Sequence, residues 1–309
     1  MGKSARNKLM SAAEAVERFV SDGAVLGMGG QSIGRCPMAL AFEVARQGKK
    51  ELSVVGCNLA MSMDVLVGSG LVSRTECGTG NLERYGTAFR WRAAAEAGEL
   101  AVADYSHLGM ASRFLAASLG LPFMPIKSLL GSDILSTKRG EGPDPEYVLM
   151  SNPFSSEGEP VALLPALSPD VSTVHAQKAD AAGNFSIEGF STHEPEMVKA
   201  SKAVVVSCEE IVDPEYFREN PGETTVPFLF VDAVVHQPFG GYPTSVYGRY
   251  EHDREHIVEY QRVARAGGDE YADYLRRAIV EPGDFDGFLD WALTDEKKAA
   301  LRDEMERLI

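Results

Sequence analysis

The residue types with the most chemical potential cluster in Gly27–Pro37, Gly-Met-Gly-Gly-Gln-Ser-Ile-Gly-Arg-Cys-Pro. An apolar run, Ala24-Val25-Leu26, precedes it and a helical stretch from Met38 to Arg46 follows, so the segment reads as strand, glycine-rich turn and helix start. Such a turn lets main-chain N–H groups approach a phosphate, a carboxylate or a developing oxyanion beside the positive end of a helix. It is not a dinucleotide fingerprint, because Ser32 stands where a glycine is needed and no acid follows the strand Leu52–Asn58. Nor is it a phosphate loop: Arg35-Cys36 replaces the Lys-Ser/Thr pair that grips phosphate and magnesium.

The titratable side chain best placed for proton transfer is His107, which with Asp104 and Ser106 sits where the strand Leu100–Tyr105 meets the helix Gly109–Leu119. His175 falls on an apolar strand and reads as buried structure. His193, His252 and His256 have polar neighbours, and His236 could line a groove after Val235. Glu83, Glu209 and Glu210 are the carboxylates considered as nucleophiles, and each reads first as a surface or ion-pair residue. A self-contained hydrolase or zinc enzyme is not expected, and no metal ligands are assigned.

These residues need a frame, and the periodicity supplies it. Ser11-Ala-Ala-Glu14 opens a capped helix to Ser21, and alternating helices and short apolar strands follow: Leu52–Val55, Ser62–Val67, Val72–Cys77, Phe89–Ala97 and Leu100–Tyr105. That rhythm predicts an α/β protein with an open, mostly parallel sheet flanked by helices, whose strand carboxyl ends gather the ligand. Leu121–Ile126 reads as the start of a loop leading to Gly131-Ser132-Asp133, and Ser136–Glu159 as an excursion over the surface. Val161–Leu164, Val171–Ala176, Ala203–Cys208 and Val231–Val235 are further strands, with a turn at Lys178–Asn184. The whole of 1–309 reads as one domain, with 251–309 a helical C-terminal extension.

Composition limits the partners. With 45 acidic against 30 basic residues and a net charge of −15, neither nucleic acid nor an anionic membrane is expected to bind. The four cysteines lack paired spacing, the basic N-terminus leads into an amphipathic helix, and no apolar run spans a bilayer. A cytoplasmic protein is expected.

Four stretches together resemble the A subunit of the family I CoA-transferases, in particular the glutaconate CoA-transferase branch. They are Gly29–Ala39, Leu121–Pro125 with Gly131-Ser132-Asp133, His175–Asn184 and Val231–Thr244, in the same order within about Leu9 to Tyr260. The resemblance implies a partner of similar fold, the B subunit, in a hetero-oligomer of A2B2 or larger. It implies a CoA thioester as substrate, no tightly bound cofactor, and transient attachment of CoA to a glutamate of the B subunit. This chain would then supply Gly29 and Gly30 amides as an oxyanion hole, Arg35 as a clamp on a substrate carboxylate, and Gln31, Gly131, Ser132 and Asp133 as substrate-binding residues. At the turn holding Ser106 and His107 the pattern departs from its relatives. Acetate and 3-oxoacid CoA-transferases carry glutamine there, and ring-cleaving hydrolases of steroid breakdown carry glutamate. The expected reaction is therefore CoA transfer between an acyl-CoA and a carboxylic acid, dicarboxylic acids included. The alternatives are hydrolysis or carbon–carbon cleavage of a CoA thioester through His107 and water, or a non-catalytic module binding a CoA ester or sugar phosphate.

Overall fold

The structure is a computed structural model that describes residues 6–136 and 145–309. The chain opens with α1 (Ala12–Phe19), whose capping box is closed by Ser11 and Glu14. Strand and helix then alternate through β1 (Val25–Met28), α2 (Met38–Arg46), β2 (Leu52–Leu59), α3 (Met61–Gly68), β3 (Val72–Gly80), α4 (Phe89–Glu96), β4 (Ala101–Asp104) and α5 (His107–Ser118). Next come β5 (Phe123–Ile126), β6 (Val148–Ser151), β7 (Pro160–Pro165), β8 (Val171–Asp180), β9 (Phe185–Ser186), α6 (Glu194–Ala200), β10 (Ala203–Val212), α7 (Pro214–Glu219) and β11 (Ala233–His236).

Among the described residues, eight strands form one sheet in the order β11-β10-β8-β1-β2-β3-β4, with β9 on β8. All neighbours in that order pair in parallel, and only the short β9 runs antiparallel. Central strands β1 and β8 are buried along nearly their whole length, β1 as the apolar run Val-Leu-Gly-Met and β8 with Ser172, Thr173, His175 and Gln177 buried among its apolar residues. One core layer joins the sheet to α1, α2 and α3, and a second joins its other face to α5 and α6.

The chain starts at β1, builds outward to β4, then returns to lay β8 on the other side of β1. The strand order therefore reverses between β1 and β8, the place where open sheets of this class form a ligand crevice. Both predicted turns lie along this edge of the sheet, after β1 and after β4.

Two expectations change. Leu121–Ile126 is not all loop: Phe123–Ile126 pairs antiparallel with β7, and Pro125 is tolerated in this outer strand of a small sheet ordered β5-β7-β6. The surface excursion contains β6, while 137–144 lies outside the described residues.

The C-terminal segment forms α8 (Arg254–Ala266), α9 (Gly268–Leu275), a π-helical turn (Arg276–Val280), α10 (Phe285–Ala292) and α11 (Asp295–Glu306). It packs against the first half of the chain through Phe42, whose ring meets those of Phe285 and Phe288 edge-on at 5.6 and 4.8 Å. A polar tie runs through Asp64, which accepts hydrogen bonds from the Trp91 N–H at 2.7 Å and the Tyr260 hydroxyl at 2.8 Å. Burial raises the Asp64 carboxyl to about 6.

Candidate functional site

The glycine turn receives a carboxylate, as its composition predicts, but the carboxylate belongs to the protein. Glu194, the first residue of α6, is wholly buried, and its Oε1 accepts from the Gly30 N–H at 3.0 Å. Gly29 makes room for it, since a Cβ there would fall 2.4 Å from Glu194 Oε1. The Arg35 guanidinium grips the same carboxylate through both terminal nitrogens, with Nη1 to Oε1 at 2.9 Å and Nη2 to Oε2 closer still. Arg35 Nη1 also donates to His175 O at 2.9 Å and Nη2 to Phe190 O at 3.1 Å.

This corrects two expectations. The Gly29 N–H donates to Thr173 O at 2.9 Å across the β1–β8 junction, so neither it nor the Gly30 N–H is an open oxyanion donor. Arg35 is 5% exposed with four hydrogen bonds to protein atoms, so it clamps Glu194 where a substrate carboxylate was expected. Five further amides of the turn are engaged: Gln31 and Gly34 with each other's carbonyls, Ser32 with Asn58 O, Arg35 with Ser245 O, and Cys36 with Thr244 Oγ1.

The turn also spells Gly30-Gln31-Ser32-Ile33-Gly34, the Gly-x-Ser-x-Gly pattern of a serine nucleophile, which the sequence reading missed. Ser32 has the left-handed φ of 52° that such a turn uses. It is nevertheless 1% exposed, and its hydroxyl faces Asn81 Oδ1 at 3.3 Å. Among the described residues no histidine is hydrogen-bonded to it, so it has no base.

His193, next to Glu194, stacks on Phe114 with ring centroids 5.5 Å apart. Its Nε2 accepts from the Cys57 N–H at 3.4 Å and its Nδ1 lies 3.0 Å from Thr192 Oγ1. Burial lowers its pKa to about 4, with Glu194 opposing the shift and Arg35 and His107 adding to it. His193 is therefore a buried, neutral ring, near enough to His107 to feel its charge.

His107 itself is exposed at the first position of α5. Its Nε2 is 3.0 Å from Thr79 Oγ1, which donates to Asn58 Oδ1 at 2.7 Å. These three residues come from the ends of β2 and β3 and the start of α5, beside the glycine turn that meets Asn58 through Ser32. Ser106 caps α5, its Oγ accepting from the Gly109 N–H at 2.9 Å and lying 3.2 Å from Ser128 Oγ. Ser132 donates to Leu129 O within its own turn at 2.7 Å, and Gly131 there has a φ of 81°. The segment carrying Gly131, Ser132 and Asp133 is thus tied to the His107 turn through Ser128.

The remaining candidates separate from this edge. His175 is buried, with Ser207 Oγ at 2.8 Å from Nδ1 and Glu209 Oε1 at 2.7 Å from Nε2. Glu209 also accepts from the Tyr250 hydroxyl at 2.9 Å and the Phe239 N–H at 2.8 Å, which commits both its oxygens. Glu83, Glu210 and His236 are exposed. His256 is half-buried, with the rings of Phe288 and Trp291 on one side and the hydroxyls of Tyr242 and Tyr274 on its nitrogens, and desolvation lowers its pKa to about 4 against the opposing charge of Asp253. His252 lies 2.7 Å from the Tyr85 hydroxyl. Among the described residues no group of three or more His, Cys, Asp or Glu side chains is placed to hold a metal ion, and no helix is long and apolar enough to cross a membrane.

Comparison with known proteins adds the following. The coenzyme A transferase family model matches residues 9–237. The chain is 31% identical to the A subunit of the glutaconate CoA-transferase of Acidaminococcus fermentans, over 92% of this chain and 91% of that one. The crystal structure of that glutaconate CoA-transferase superposes with a TM-score of 0.90, covering 96% of this chain and 95% of that chain at 29% identity. A cholesterol ring-cleaving hydrolase subunit of Rhodococcus jostii is 30% identical over 88% of this chain and 93% of its own. An uncharacterized protein of Archaeoglobus fulgidus is 35% identical over 92% of this chain, which spans 62% of that protein's length.

Proposed function

The chain belongs to the coenzyme A transferase family, and on that premise we propose that it is the A subunit of a heteromeric CoA-transferase. It would move CoA between an acyl-CoA and a carboxylic acid, dicarboxylic acids included, through a thioester formed on a glutamate of a B subunit. The observation that carries this reading is the state of two buried carboxylate side chains, Glu194 at the start of α6 and Glu209 on β10. Glu194 is taken by Arg35 and Gly30, and Glu209 by His175, Tyr250 and Phe239. A carboxylate nucleophile must be free to attack the thioester carbonyl, and neither is. A reacting carboxylate brought by a second chain would meet the edge where His107 stands exposed.

In this reading the Arg35–Glu194 pair shapes the floor of the crevice, His193 keeps it dry and uncharged, and His107 faces the reacting carbonyl or the incoming acid. Ser106 holds His107 through the helix cap, and Gln31 with Gly131, Ser132 and Asp133 borders the substrate.

The test is an exchange assay on the chain co-expressed with its B subunit, given an acyl-CoA donor and a panel of mono- and dicarboxylic acids. Parallel lines in double-reciprocal plots, the signature of ping-pong exchange, are expected. Steady release of free CoA without exchange to any acid would overturn transfer in favour of the hydrolytic reading, which the likeness to the ring-cleaving hydrolase subunit supports.

A further inference from the structure

The reading above leaves His107 two opposite uses, an N–H donor to an oxyanion or an acceptor of a proton. The surroundings of the ring choose between them. Thr79 Oγ1 carries one proton, and the hydrogen bond to Asn58 Oδ1 at 2.7 Å uses it. The 3.0 Å contact between Thr79 Oγ1 and His107 Nε2 then needs its proton from the imidazole. In a neutral ring this fixes the proton on Nε2 and leaves Nδ1 with a lone pair.

The orientation is fixed as well as the tautomer. A Cβ on Gly78 would lie 2.3 Å from His107 Cδ2 and 2.8 Å from the His107 amide nitrogen, so only glycine lets the Cδ2 edge of the ring lie against β3. With Nε2 on Thr79 and Cδ2 on Gly78, the opposite edge of the ring, which contains Nδ1, faces away from the sheet. Among the described residues nothing is hydrogen-bonded to Nδ1.

We infer that Thr79 is a positioning residue that, with Gly78 as a seat, locks His107 as the Nε2–H tautomer and presents Nδ1 to the crevice as a proton acceptor. The crevice at this point then favours a substrate O–H over an oxyanion, so the charge on a thioester oxygen is stabilised elsewhere. The use toward substrate rests on the proposed function, whereas the tautomer does not.

The test uses the full chain labelled with 15N at its histidine rings, with His107 assigned by its loss in His107→Gln. Long-range proton–nitrogen correlations are expected to show neutral His107 protonated at Nε2, unchanged in Thr79→Ser and a mixture of tautomers in Thr79→Val. In the complex with the B subunit, Thr79→Val is expected to lower kcat roughly tenfold with little change in KM for the acyl-CoA, and Thr79→Ser to restore it. A wild-type ring protonated at Nδ1, or a Thr79→Val spectrum identical to wild type, would overturn the inference. An Nε2–H spectrum from a complex that exchanges no CoA would sink the transferase reading and leave the positioning role standing.

Discussion

Two turns at the same edge of the sheet handle charge in opposite ways. The turn after β1 buries an arginine and a glutamate, engages its amides with protein acceptors, and places the neutral ring of His193 beside them. The turn after β4 leaves His107 exposed and holds it through one uncharged hydroxyl and a glycine. The first arrangement is rigid and self-satisfied, because a buried charge survives only when every hydrogen bond is made. The second keeps a polar atom available at the cost of little stability. The comparison teaches that the segment with the strongest sequence signature is satisfied within the protein, while the weaker one leaves an exposed imidazole, which is where the proposed reading puts the chemistry.

The sharpest way to break that contrast is to remove one member of the buried pair. Arg35→Ala or Glu194→Ala strands an uncompensated charge and is expected to cost about 3–5 kcal/mol of stability, measured by urea unfolding. A loss under about 1 kcal/mol would mean that the pair is not the keystone of the floor. His107→Ala should do the reverse. Its unfolding midpoint stays near wild type, with a change of about 0.5 kcal/mol or less, while kcat of the assembled enzyme drops roughly a hundredfold. An unfolding shift as large as that of Glu194→Ala would erase the distinction between the turns.

Acid sharpens the comparison further. His193 and His256 are neutral in the fold with pKa values of about 4, against an ordinary 6.5, so the unfolded chain binds more protons between those limits. Their contribution to stability is complete above pH 6.5 and is lost as pH falls to about 4. Asp64 works in the opposite sense, since its carboxyl is raised to about 6 from 3.8 and gains stability as pH falls through that interval. Two histidines against one aspartate predict a net decline on acidification from pH 6.5, followed by denaturant midpoints in a pH series. His193→Gln should flatten the decline. The smallest effect is expected at Glu210, exposed and 3.7 Å from Arg249: Glu210→Gln should change stability by less than about 0.5 kcal/mol and leave exchange intact.

Local patterns told most of the fold. The capping box at Ser11, the helix Met38–Arg46 and the alternation of strands with helices are written in neighbouring residues, and the structure keeps them. Strand ends were harder to read. Val72–Cys77 reads as a strand, yet β3 runs on to Gly80, and the three added residues include the Gly78 and Thr79 that seat His107. Small and polar residues end the apolar run there, although parallel pairing of Asn58 with Thr79 continues it. Likewise Phe123–Ile126, interrupted by Pro125, carries no strand signal until β7 lies beside it. Glu194 had no local signal at all, because its partner Arg35 is 159 residues away and only the return of the chain to β8 brings them together. The glycine turn therefore announced a carboxylate without saying whose it was.

The most direct test of the central claim, that this chain is half of an active centre completed by a carboxylate from another, is to locate the covalent intermediate. The co-purified complex is mixed with acyl-CoA, treated with borohydride or hydroxylamine, digested and mapped by mass spectrometry. Modification of a single glutamate on the B subunit, with none on Glu83, Glu194, Glu209 or Glu210, is the predicted result. A labelled carboxylate on this chain, or full-rate exchange by the chain alone, would contradict it.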